Sequence, residues 1–196
     1  VTVISDEIHH DIIMPGYKHT IFQTLSDEIA DQTITCTAPS KTFNLAGMGI
    51  SNIIIKNPAI KEKFIQEINN VSGFPFNILG YKACELAYTK AENWLEEFIT
   101  VIDKNQKIVK EFFEKNHPKI KASLIEGTYL QWIDFRALGM EPKKMEVFMT
   151  KEAQLFLDEG YIFGKSGEGY ERINLAAPSW VIRESLERLD RALKEL

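Results

Sequence analysis

Thr33-Ile34-Thr35-Cys36-Thr37, followed at once by Ala38-Pro39-Ser40-Lys41-Thr42-Phe43-Asn44, is the stretch on which the reading of this chain turns. Its first five residues place β-branched side chains in alternation and predict a strand. Pro39 cannot donate to a strand ladder and biases Ala38 away from the helical region, so residues 38–44 are expected to form a loop. A short strand running into a loop that holds hydroxyls, an amide and a lysine points to an α/β sheet, with polar groups gathered at one edge. Upstream, Val1-Thr2-Val3-Ile4 reads as a buried parallel strand closed by Ser5-Asp6-Glu7-Ile8-His9-His10-Asp11. The chain opens inside this strand without an initiator Met, so it is expected to be part of a longer protein.

Moving outward, Met14-Pro15-Gly16 is a turn, and residues 24–30 predict a short helix with Ser26 as N-cap. Asn57-Pro58 starts a helix that runs to about residue 70. Phe74-Pro75-Phe76 is expected to end it. Residues 77–116 then read as helical, with Leu79, Ala83, Leu86 and Ala87 and later Trp94, Leu95, Phe98, Val101 and Ile102 at helical spacing. That length predicts a kink near residues 102–105. Past Pro118, strands are expected over 119–125 and 128–135, the second well covered, around Glu126-Gly127. A helix over 143–159 closed by Gly160, a strand over 161–163, a loop over 166–169 and a strand over 170–175 follow. Ser179 is the expected N-cap of a last amphipathic helix over 180–193. The last ~80 residues thus predict an antiparallel α+β unit with helices on one sheet face.

Composition narrows the class of function. The 196 residues carry 23 basic and 28 acidic side chains, a net charge of −5, and are 44% hydrophobic and 26% charged. That is globular composition, neither disordered nor coiled-coil. The acidic balance argues against a nucleic-acid surface, which needs clustered Lys and Arg. Apolar runs such as Ile53-Ile54-Ile55 fall far short of the ~20 residues that cross a membrane. Cys36 and Cys84 cannot form a disulfide framework and fit a reducing cytoplasm.

Three residues carry candidate chemistry. Lys41 lies beyond a strand among Thr37, Ser40, Thr42 and Asn44. A lysine there is either a solvated surface cation or a nucleophile toward a carbonyl. Asp6 closes a strand, where open α/β sheets place ligands, and can cap the next segment or hold a cation. His9 and His10 with Asp6, Glu7 and Asp11 also admit a metal cluster, which the lack of a third nearby histidine disfavours. Arg172, in Tyr170-Glu171-Arg172-Ile173-Asn174-Leu175, either reaches to the surface or grips a carboxylate in a bidentate fork.

Four segments in order, Ser5-Asp6-Glu7-Ile8-His9, then Ala38-Pro39-Ser40-Lys41-Thr42-Phe43-Asn44-Leu45-Ala46-Gly47, then Glu126-Gly127-Thr128-Tyr129-Leu130 with Trp132 and Asp134, then Gly169-Tyr170-Glu171-Arg172-Ile173-Asn174, resemble the pyridoxal-phosphate aminotransferases of fold type I. The likeness is strongest to their aminotransferase-like cystathionine β-lyase branch (the MalY/PatB group), and it covers the C-terminal half of such an enzyme. The resemblance implies an α/β fold in which residues 1–80 complete a cofactor-binding large domain, 81–110 form a long interdomain helix region and 111–196 form a small α+β domain. It implies pyridoxal 5′-phosphate as cofactor, an amino-acid substrate and a homodimer. Lys41 would bond to the cofactor aldehyde and shuttle the Cα proton, and Asp6 would face the pyridine nitrogen. Ile8 would pack on the ring, His9 would reach its phenolic oxygen, Ser40 would neighbour the phosphate, and Arg172 would clamp the substrate carboxylate. Two positions depart from the family pattern: Ala38 and Gly49 stand where relatives often place a hydroxyl and a basic residue at the phosphate. Transamination and β-elimination of a cysteine S-conjugate such as cystathionine both start from the same carbanion. The alternative is a cofactor-free structural or dimerisation fragment, inactive as this chain alone.

Overall fold

The computed structural model describes residues 1–71, 73 and 77–196. The expected helix end at Phe74-Pro75-Phe76 lies outside the described residues. The chain divides into two compact units, Val1–Glu96 and Glu97–Leu196.

In the first unit, β1 (Val3–Asp6), β2 (Thr33–Thr37) and β3 (Asn52–Ile55) form a sheet with β2 in the centre. β1 runs parallel to β2, with Asp6 opposite Cys36, and β3 runs antiparallel, with Ile34 opposite Ile55. The strand expected over residues 1–4 is thus displaced, and it is not buried throughout, since Val1 and Ile4 are exposed. Its pairing begins at Val3 because Thr33, the first residue of β2, is its partner. β3 escapes sequence reading because four residues are too few to show a period. Thr33 and Thr35 are buried with their hydroxyls satisfied: Thr33 Oγ1 donates to the Ile29 carbonyl at 2.6 Å and Thr35 Oγ1 to Gln23 Oε1 at 3.0 Å.

The short helices obey their caps. Ser26 Oγ accepts from Ile29 N at 3.2 Å at the start of α1 (Asp27–Gln32). The segment after β2 is not a loop: Pro39–Thr42 form a one-turn helix, α2. Pro39 occupies its first position, where a missing N–H costs nothing, while Ala38 stays extended as a residue before proline should. Asn57 Oδ1 accepts from Ala59 N and Ile60 N at 2.9 and 3.3 Å at the head of α3 (Pro58–Asn70). α4 (Ile78–Lys90) and α5 (Glu92–Asn116) meet at Ala91, whose φ of −110° and ψ of 24° leave the helical region. The break therefore falls there and not over residues 102–105. Asn105, a polar residue deep in α5, is buried because its amide donates to the Leu175 and Ala177 carbonyls at 2.9 and 2.8 Å, and the helix runs through it unbroken. Of the apolar series in α4 only Ala87 is buried, because Ile78, Leu79, Tyr81, Leu86 and Tyr88 spread around the helix instead of forming one stripe.

The second unit is built on an antiparallel sheet of β4 (Lys121–Ala122), β5 (Leu130–Asp134), β7 (Tyr170–Asn174) and β6 (Asp158–Glu159), in that spatial order. Alternation along β5 and β7 buries Gln131, Ile133, Glu171 and Ile173 on one face. α5 lies on that side, where Gln131 Nε2 reaches the Gln106 carbonyl at 3.5 Å and Phe113 meets Phe135 edge to face at 5.8 Å. His117 Nε2 and Asp190 Oδ1, 2.8 Å apart, tie α5 to α7 (Ser179–Lys194). The opposite face carries Trp132, Tyr170 and Arg172, and Trp132 is exposed, so β5 is covered on one side only.

The expected helix over residues 143–159 ends early. α6 (Pro142–Val147) gives way to a wider turn over Phe148–Glu152, closed by Ala153 N to the Phe148 carbonyl at 3.0 Å. The inserted residue shifts the helical register by one, so Ala153 rather than Glu152 enters the core behind Met145, Phe148 and Met149. Gln154, at φ 53°, then turns the chain out toward β6. Gly160 is not a helix cap. A Cβ on it would lie 2.1 Å from the Gly167 carbonyl oxygen, so a glycine is needed where the tight turns Gly160–Phe163 and Lys165–Gly167 touch. Those turns replace the expected strand over 161–163 and loop over 166–169. α7 begins one residue early: Pro178 takes the cap position and Ser179 is the first helical residue. Among the described residues no helix is long and apolar enough to cross a membrane.

Candidate active site

The residues singled out by sequence fall in both units: Asp6, Ile8, His9, Ser40 and Lys41 in the first, Arg172 in the second. In the first unit, parallel pairing brings the carboxyl ends of β1 and β2 side by side. Asp6 is the last residue of β1, exposed, and its Oδ1 accepts from Ile8 N at 3.3 Å, a turn that fixes the half-buried Ile8 just beyond the strand. Glu7 N donates to the Cys36 carbonyl at 2.8 Å and extends the ladder one step past Asp6. Lys41 stands on α2, five positions after Cys36, exposed, with no ion pair to any described residue. Its neighbour Thr42 is fully buried and Ser40 half-buried, so the helix turns its lysine away from the unit's interior. His9 is half-buried in the turn after β1.

Two carboxylates that sequence reading left unassigned hold this edge. Asp11 Oδ2 accepts from Thr42 Oγ1 at 2.9 Å and from Tyr88 Oη at 3.4 Å, and its Oδ1 lies 3.1 Å from His10 Nε2. It thereby joins the turn after β1 to α2 and to α4. Burial, and then the Asp11 charge, push the Tyr88 hydroxyl well above its ordinary range, so Tyr88 stays protonated and donates. Glu7, one of the side chains weighed and disfavoured as metal ligands, is a buried anchor. Its Oε1 accepts from Ser5 Oγ and Phe22 N, both at 3.0 Å, and its Oε2 from His19 Nε2 at 2.8 Å. Burial works to raise its carboxyl, but these hydrogen bonds outweigh it and hold Glu7 below the usual range, hence ionised. Among the described residues no group of three or more His, Cys, Asp or Glu side chains is arranged to hold a metal ion.

In the second unit, Arg172 lies on the open sheet face, half-buried. The sequence leaves open whether its fork reaches the surface or grips a carboxylate. The structure puts Asp158 there: Nε and Nη2 donate to Asp158 Oδ2 at 3.1 and 2.8 Å. The guanidinium rests 4.4 Å from the Phe163 ring centroid and 5.9 Å from that of Trp132. Asp158 was hidden from sequence reading inside the residues assigned to a helix, and only its pairing directly opposite Arg172 reveals it.

No protein-family model matches the chain. It is 39% identical over 193 residues to the cystathionine β-lyase PatB of Bacillus subtilis, a match that covers 98% of this chain and 50% of that protein. Among solved structures, cystalysin from Treponema denticola, which contains a pyridoxal 5′-phosphate cofactor, superimposes with a TM-score of 0.97 at 66% identity, over 100% of this chain and 50% of that one. This is the fold of the C-terminal half of a fold-type-I pyridoxal-phosphate enzyme. The pyridoxal-phosphate-bound C–S lyase of Staphylococcus hominis agrees, with a TM-score of 0.88 and 34% identity over 98% of this chain and 47% of its own. The chain spans about half the length of the curated relatives it matches. The family likeness read from four sequence segments therefore holds along almost all of this chain.

The residues present suit the cofactor's chemistry. Lys41, a primary amine with no ion pair to any described residue, stands on α2 just past the carboxyl end of β2, and the exposed carboxylate of Asp6 closes the neighbouring β1, with the apolar Ile8 beside it. An aldehyde and a basic ring nitrogen are groups such side chains bind.

Proposed function

We propose that the protein to which this chain belongs is a pyridoxal-phosphate enzyme acting on amino acids, a carbon–sulfur β-lyase of the cystathionine type, and that it works as a homodimer in the cytoplasm. The observation that carries the reading is that Asp6 closes β1 while Lys41 stands on α2 just beyond the carboxyl end of the paired β2, in a chain so similar to proteins named as lyases of this kind. When bound, pyridoxal phosphate draws electrons from the substrate's Cα and makes its proton acidic.

This chain's residues would do the rest. Lys41 would hold the cofactor through its aldehyde and, when free, would take the proton from the substrate's Cα. The C–H pair left on Cα would become a Cα–Cβ double bond as the Cβ–S bond breaks, and the sulfur would leave with the pair of that broken bond. Asp6 would accept the N–H of the ring nitrogen and keep it protonated, Ile8 would pack against the ring, His9 would donate to the phenolic oxygen, and Ser40 would neighbour the phosphate. Arg172 would take the substrate carboxylate. In this reading residues 1–80 complete the large domain, 81–110 form the connecting helical region and 111–196 form the small domain. No observation favours the cofactor-free fragment.

The test uses the full-length enzyme. Cystathionine should yield pyruvate and free thiol without any added 2-oxo acid. Borohydride reduction and peptide mapping should find the cofactor on Lys41. Turnover only in the presence of a 2-oxo acid would make the protein an aminotransferase, and an adduct on another lysine would refute the assignment of Lys41. Light scattering at twice the subunit mass would support the homodimer.

A further inference from the structure

We propose that Asp158 is a positioning residue for carboxylate recognition: it anchors one edge of the Arg172 guanidinium so that the other edge is presented to the substrate's carboxylate. The inference deepens, and rests on, the reading of Arg172 as the carboxylate ligand. A guanidinium has two edges that can grip a carboxylate, Nε with Nη2 and Nη1 with Nη2. Asp158 Oδ2 takes both bonds of the first edge, at 3.1 and 2.8 Å, and leaves the Nη1–Nη2 edge. The position is built into the sheet, because Asp158 and Arg172 stand directly opposite each other across β6 and β7. The neighbouring acid cannot replace it: Glu159 pairs with Glu171, whose side chain faces the core.

The plane of the guanidinium is held as well as its direction. Phe163 lies 4.4 Å and Trp132 5.9 Å from Arg172 Cζ, and those two rings meet edge to face at 5.3 Å. Asp158 and the rings together hold the long side chain in place, which lowers the entropy a carboxylate must overcome on binding. Stability does not account for the arrangement. Asp158 is 46% exposed, and exposed ion pairs contribute little to folding.

The experiment compares Asp158→Ala, Asp158→Asn and Arg172→Ala in full-length, cofactor-loaded enzyme. Binding of L-alanine and of ethylamine, which lacks the carboxylate, is read from the cofactor's absorbance. Asp158→Ala should weaken L-alanine binding roughly 5- to 20-fold and leave ethylamine within about 2-fold, since only the carboxylate contact depends on the aim of Arg172. Asp158→Asn keeps an acceptor oxygen for Nε and Nη2 and should stay within about 3-fold of wild type for both. The thermal midpoint of each Asp158 variant should move by no more than about 2 °C. Tighter or unchanged binding of L-alanine by Asp158→Ala would overturn the proposal, as would equal weakening of both ligands. An Asn variant as weak as the Ala variant would overturn the anchoring role in favour of a charge effect. Arg172→Ala separates the two readings. If it spares the preference for L-alanine over ethylamine, the carboxylate reading of Arg172 fails and the proposal falls with it; if it abolishes that preference while Asp158→Ala does not, the role of Asp158 alone is refuted.

Discussion

Replacing Glu171 with Gln should change how the protein's stability depends on pH. Glu171 is 2% exposed, sits directly opposite Glu159 in the sheet, and its Oε2 has no hydrogen-bond partner among the described residues. Burial, and then the charges of Glu159, Glu146 and Asp158, push its carboxyl from the ordinary 4.5 to about 7. The unfolded chain releases this proton near 4.5 while the folded chain keeps it to about 7. Between those values the folded state binds more protons, so stability falls as pH rises, and the loss is complete a little above 7. At ~1.4 kcal/mol per pH unit the gap corresponds to roughly 3 kcal/mol. Gln keeps the shape, cannot ionise, and offers an N–H to the neighbouring carboxylates. Urea unfolding at about pH 5 and about pH 8.5 should show Glu171→Gln near wild type at the lower pH and roughly 2–3 kcal/mol more stable at the higher one. Parallel curves for the two proteins across that range would show that Glu171 does not titrate there, and the reasoning would be wrong.

Three further outcomes follow from the packing. Asn105→Ala strips the Ala177 carbonyl of its side-chain donor and leaves the Leu175 carbonyl only the Ala177 N–H, and it should cost about 1–3 kcal/mol in urea unfolding; a loss under about 0.5 kcal/mol would show that other donors replace it. Gly160→Ala drives a methyl into the Gly167 carbonyl and should lower the thermal midpoint and disturb the near-ultraviolet signal of Trp132 and Phe163, whereas a wild-type spectrum and midpoint would mean that the two turns separate freely. Glu7, held below the usual carboxylate range, lends stability that is present above about 4.5 and lost as pH falls through its lower folded value. Glu7→Gln should therefore flatten the acid limb of the stability curve, and an unchanged acid limb would refute the anchor.

What could be read from the sequence was local. Asn57-Pro58 and Ser26 start helices where they should, because a cap is decided within about four residues. The β-branched run Thr33–Thr37 is a strand for the same reason, and the motif order around Asp6, Lys41 and Arg172 located the family. Errors came wherever a residue's environment is set at a distance. Proline after a strand reads as a loop, yet Pro39 begins a helical turn whose Thr42 is held by Asp11, 31 positions away. The helix does not break over residues 102–105, where Asn105 finds two carbonyls some 70 residues downstream and stays helical.

The sequence by itself determined the secondary elements with strong local signals, the α/β and α+β character of the two parts, and which side chains are candidates for pyridoxal chemistry. Only the tertiary structure decided what those side chains meet. Arg172 is gripped by Asp158, and Glu171 is buried facing Glu159, because β6 pairs with β7 in one particular register. A register shift of one residue would exchange the two faces, and no pattern within either short strand specifies it. Caps and strand propensities act along the chain. Register, burial and the pairing of charges depend on which segments are brought together across it, and these set the aim of a guanidinium and the protonation of a carboxyl.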